Sequence, residues 1–77
     1  MQEKVIKAIS EALMGEIVSI DSTVDSLTAW DSLGHLSILS ALDEVFNGKI
    51  TEIQEFSDVK SVKEIIELCE KYNLTFP

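Results

Sequence analysis

Seventy-seven residues carry 14 Asp+Glu against 6 Lys+Arg, a net charge of −8, and 45% of the side chains are hydrophobic. A chain this short buries only about 60% of the surface its unfolded form exposes, so it can build one modest core and has no room for a second domain or a deep catalytic cleft. The negative charge opposes phosphate backbones and anionic lipid, which are held by clustered Lys and Arg, so neither nucleic acid nor a membrane is an expected partner.

Between Gln2 and Met14, Val5, Ile6, Ile9, Ala12 and Leu13 recur at spacings of three and four, the period of a helix with one buried stripe. Gly15 is the expected terminator, because the residue just past a helix often takes positive φ. From Glu16 to Asp31 the period is lost and Ser, Thr and Asp gather, which favours locally hydrogen-bonded turns. Ile17, Val18, Ile20, Val24, Leu27 and Trp30 are spread through this stretch. They predict an ordered loop pinned to the core.

Ser32–Phe46 has no proline and reads as a second helix, with Asp31 as its N-cap and Asn47-Gly48 as its stop. A step of ~100° per residue sets His35, Leu39, Leu42 and Phe46 on the core side, Leu33, Ser37, Ser40 and Glu44 opposite them, and Leu36 at the edge. A short helix is expected within Glu52–Asp58, around Ile53 and Phe56. Ser61-Val62-Lys63-Glu64 is a capping box that opens a last helix, buried through Val62, Ile65, Ile66, Cys69 and Tyr72. The fold class is therefore all-α: a single domain over residues 1–77, a small four-helix bundle of three main helices and one short one, with a long ordered loop between the first two.

Little in the chain suggests catalysis. The acidic residues fall on polar helix faces and in the loop, Asp31-Ser32-His35 lacks a nucleophile elbow, and Asp31 is committed to capping. His35 and Cys69 are single and far apart, and Asp21-Thr23-Asp25 is followed by Ser26 where a calcium loop needs glycine, so no metal site is expected. Cys69 lies on the apolar stripe of the last helix and is expected to be a buried, inert thiol. A lone cysteine and the lack of an apolar leader or of ~18 consecutive apolar residues suit a complete, soluble, cytoplasmic protein. Asn73-Leu74-Thr75 then matches a glycosylation triplet by chance.

Ser32 stands apart. It follows an acidic cap at the first turn of the strongest helix, where free N–H groups and the helix dipole favour a phosphate. Trp30-Asp31-Ser32-Leu33-Gly34-His35-Leu36 with Leu42-Asp43-Glu44-Val45-Phe46 resembles the attachment site and second helix of an acyl carrier protein, and the likeness runs through essentially the whole chain. The resemblance implies a non-enzymatic carrier whose Ser32, between Asp31 and Leu33, holds a 4′-phosphopantetheine arm derived from coenzyme A. It also implies a phosphopantetheinyl transferase and acyl-activating, acyltransferase or ketosynthase-type enzymes as partners of a monomer. Those enzymes would dock on Leu33 and Leu36, steered by Asp43 and Glu44. Asp25-Ser26-Leu27 repeats the attachment triplet, but inside the loop. Gly34, Ser37 and Ser40 replace acidic residues usual in fatty acid synthesis carriers, which points to a specialised pathway. An unmodified, carrier-like acidic interaction module is the alternative.

Overall fold

The computed structural model describes residues 2–74. Three α-helices, α1 (Gln2–Ala12), α2 (Ser32–Val45) and α3 (Val62–Lys71), are joined by the long loop and by a connection holding a five-residue 3-10 helix, Gln54–Asp58. The element expected as the fourth helix is thus a single tight 3-10 turn, two residues shorter than its expected span. No strand occurs among the described residues. Thr23 and Ser61 form an isolated antiparallel bridge.

The buried stripe of α1 is Val5, Ala8, Ile9 and, just past its end, Leu13; that of α2 is Gly34, Ile38, Leu42 and, at its C-cap, Phe46. Leu42 and Phe46 are buried as expected, but in the first half of α2 the stripe lies one residue before the expected one, which leaves His35 and Leu39 half-buried on its flank. Val62, Ile65, Ile66 and Cys69 close the core from α3, with Ile50, Phe56 and Val59 beneath them. Tyr72, expected in that stripe, is 41% exposed because α3 ends at Lys71 and the chain turns there. Desolvation, helped by the neighbouring Glu70 charge, pushes the Cys69 thiol up to about 11. It stays protonated at neutral pH and is inert, since the thiolate is the nucleophile.

The loop is fastened at both faces of the bridge: Val24 N–H donates to the Lys60 carbonyl at 2.9 Å and Val62 N–H to the Ser22 carbonyl at 3.0 Å. Trp30 is its main apolar anchor at 3% exposure, whereas Ile17 stands in solvent. The capping box at α3 is modified. Ser61 Oγ accepts from Glu64 N–H, but the Glu64 carboxylate accepts from Lys60 N–H and the Ser61 hydroxyl.

Helix α1 stops one residue earlier in register than the glycine suggests. Gly15 N–H bonds the Ser10 carbonyl and Met14 N–H the Glu11 carbonyl, a Schellman pair in which Met14 already takes the left-handed position at φ 64° and Gly15 follows it with the expected positive φ, 88°. A side chain there costs roughly 1–2 kcal/mol, and Met14 is 95% exposed, so it makes few contacts that offset this. Met14→Gly is expected to raise stability by about 0.5–1 kcal/mol once glycine's extra unfolded-state entropy is deducted. Urea denaturation checks it; an unchanged or lower midpoint contradicts the assignment.

Candidate functional site

The site is built where the loop runs into α2. Asp31 has extended backbone (φ −96°, ψ −165°) and its carboxylate accepts from Gly34 N–H at 2.8 Å, so it caps the helix as its sequence position requires. Ser32 is the first helical residue and is exposed. Its hydroxyl makes no hydrogen bond among the described residues. Its duplicate is different: Ser26 Oγ accepts from Thr23 N–H at 2.8 Å and donates to the Thr23 carbonyl at 3.1 Å, closing a loop turn. The two Asp-Ser-Leu copies therefore differ in the state of the hydroxyl, one free and one engaged.

Beside Ser32 opens a groove of about 620 Å³, walled on one side by Trp30, His35, Leu36 and Leu39 and on the other by Val24 and Ser57–Lys60. Its far wall comes from the end of the 3-10 helix and the approach to α3. No spacing in the sequence announces that wall, because it is brought over by the bridge at Thr23 and Ser61. The near wall is held by an imidazole: Trp30 indole N–H donates to His35 Nδ1 at 3.0 Å, and His35 Nε2 lies 3.2 Å from the Phe56 carbonyl.

Comparison with family models, with curated proteins and with solved structures returns no match.

The residues expected to meet partners divide into two groups. Leu33 is 75% and Leu36 62% exposed, and with Ser37, Ser40, Ala41 and Glu44 they form one surface of α2. Asp43 is not on that surface as a free charge. Its carboxylate accepts from Thr51 N–H at 3.1 Å and holds the turn after α2. Among the other acidic residues, Glu55 is tied to Lys71 at 3.0 Å and accepts from the Tyr72 hydroxyl. The Tyr72 bond, then the Lys71 ammonium, hold the Glu55 carboxyl below its ordinary value. Glu44 and Glu52 remain exposed. Among the described residues no group of three or more His, Cys, Asp or Glu could hold a metal ion, and no helix is long and apolar enough to cross a membrane.

Gly34 is the position beside Ser32 whose reason the sequence does not show. An added Cβ would run into the Ala29 carbonyl oxygen and approach Leu13 Cδ2 at 3.1 Å. The loop backbone passes so close to the first turn of α2 that no side chain fits, acidic or otherwise.

Proposed function

We propose that the protein is a non-catalytic acyl carrier of a specialised, cytoplasmic biosynthetic pathway, acting as a monomer. Ser32 holds a 4′-phosphopantetheine arm through a phosphodiester, and partner enzymes carry out the chemistry. The observation that carries this reading is the exposed, unengaged Ser32 hydroxyl at the first residue of α2, flanked by two exposed leucines. In this reading the 3-10 helix is the short fourth member of the carrier's helical bundle.

The residues present fit such a group. Asp31 occupies the Gly34 amide, while the amides of Ser32 and Leu33 lie in a first turn that helix geometry leaves without carbonyl partners. They and the helix dipole suit a phosphate ester at Ser32. In the transfer, Ser32 Oγ gives up its proton and bonds to phosphorus, and the pyrophosphate of coenzyme A breaks with its nucleotide half leaving. The attached arm supplies the thiol on which an acyl group is held as a thioester. Beyond attachment, this chain orients the serine, offers the apolar groove beside it and presents Leu33 and Leu36 for recognition.

Incubation with coenzyme A and a broad-specificity phosphopantetheinyl transferase tests the proposal. The intact mass should rise by one phosphopantetheine, and one thiol should become reactive in the native state, where Cys69 is silent. An unmodified interaction module would use the same Leu33–Leu36 surface and gain no mass.

The docking surface has its own test in initial rates of arm transfer. Exposed charges contribute about 0.2–1 kcal/mol each and are screened by salt. Glu44→Lys should therefore slow transfer at roughly 0.01 M salt and have little effect near 1 M. Leu33→Ala removes an apolar contact and should slow it at both. Asp43 is set aside as a probe because replacing it also releases the Thr51 turn. Wild-type rates in both variants would move the docking surface away from α2.

A further inference from the structure

We infer that His35 is a positioning residue for Ser32, joining the end of the loop, the first turn of α2 and the 3-10 helix through the two nitrogens of one ring. Its kinetic consequence rests on the carrier reading of Ser32; its structural content rests on the imidazole alone.

The argument starts from Trp30. Its indole is buried, and an indole N–H can only donate. Nδ1 of His35, 3.0 Å away, must therefore be the acceptor. The ring proton then sits on Nε2, where it is aimed at the Phe56 carbonyl 3.2 Å away. One tautomer satisfies both contacts. The rings of Trp30 and His35 lie nearly parallel, 14° apart in plane with centroids 6.3 Å apart, the edge-to-edge alignment that a straight N–H···N bond between two flat rings favours.

These partners flank the attachment position. Trp30 lies two residues before Ser32 and His35 three after it, while Phe56 belongs to the segment that continues into the far wall of the groove. The Ser32 hydroxyl has no hydrogen bond among the described residues to fix it. Its placement relative to the groove depends on the loop end and the helix start keeping their register, and His35 is the side chain that bonds to both that loop end and the facing element. Leu33 lies outside the groove, and Leu36, which borders it, is 62% exposed and bonds to neither Trp30 nor Phe56, so a change at His35 should disturb presentation of the hydroxyl more than docking.

The test is the kinetics of arm transfer to wild type, His35→Phe and His35→Gln, each checked to be folded. Phenylalanine keeps a flat ring and removes both hydrogen-bonding atoms; glutamine keeps one acceptor and one donor. Because misplacing a reacting atom by about an ångström can cost up to 100-fold, kcat of His35→Phe should fall about tenfold while KM stays within about twofold. His35→Gln should recover kcat to within about threefold of wild type, since it restores the bonding that positions the serine. Equal kcat in His35→Phe and wild type overturns the inference, as does His35→Gln being as slow as His35→Phe. Should His35→Phe fail to fold, the long-range ¹H–¹⁵N spectrum of the wild-type imidazole decides. A proton on Nε2 with an exchange-protected Trp30 indole proton supports the assignment, and a proton on Nδ1 overturns it. If wild type accepts no arm at all, the carrier reading fails, and the same spectrum still decides the role of His35.

Discussion

Replacing Gly34 by alanine is expected to destabilise the protein by about 2–4 kcal/mol, the upper range for an overpacked site. The cause is local. A methyl group at this position would collide with the Ala29 carbonyl oxygen, which is backbone and cannot swing aside as Leu13 Cδ2 can. Ala29 is itself fixed, because the Trp30 N–H bond to the Leu27 carbonyl turns the chain there and the Trp30 indole is sunk in the core. Relief requires either α2 to lift off the loop, losing the Asp31 cap, or Trp30 to leave its place. For a domain of this size each kcal/mol moves the thermal midpoint by roughly 4–8 °C, so the fall should exceed about 8 °C. Ser37→Ala and Ser40→Ala, on the exposed face of the same helix, should leave the midpoint nearly unchanged. A Gly34→Ala midpoint within about 2 °C of wild type would show that the loop does not approach as closely as described.

Ser32→Ala should abolish arm attachment and leave stability within about 0.5 kcal/mol of wild type. The side chain is exposed and bonded to nothing among the described residues, and alanine is the best helix former. Ser26→Ala should do the reverse. Its hydroxyl closes the turn at Thr23, so its loss is expected to cost about 0.5–1.5 kcal/mol while attachment proceeds. Intact mass after transfer and urea midpoints for the two variants separate these outcomes. Attachment that survives Ser32→Ala would remove the serine from the proposed role.

The helices were legible because burial sets their period. Val5, Ile9 and Leu13, and likewise Val62, Ile65, Ile66 and Cys69, announce their faces by spacing alone, and Asp31 and Ser61 announce the starts of two helices by their chemistry. Helix ends were less legible. Met14, Asn47 and Asn73 all take the left-handed position after their helices, and Gly15 and Gly48, which also have positive φ, show the turn but not that it begins one residue earlier on a non-glycine side chain. Tyr72 was misplaced for a related reason, since a periodic stripe does not say where the chain leaves it.

What brings the site together is tertiary and left no periodic trace. The bridge between Thr23 and Ser61, the Trp30–His35–Phe56 chain of bonds and the capture of Asp43 by Thr51 each join residues from different segments or across a turn. A tryptophan at the end of a polar loop was a usable signal, because its N–H requires a partner when buried. The glycine at position 34 carried none, since its reason lies in the passage of another piece of backbone.

The most direct measurement of the central claim locates the arm on the chain. Lys7 and Lys49 bound a stretch without Lys or Arg, so a tryptic digest of the modified protein delivers Ser26 and Ser32 on one peptide, residues 8–49. Fragmentation of that peptide should place a single phosphopantetheine on fragments that contain Ser32 and on none that end before Asp31. An arm on Ser26, or a peptide of unmodified mass after exhaustive incubation with coenzyme A and transferase, would contradict the assignment.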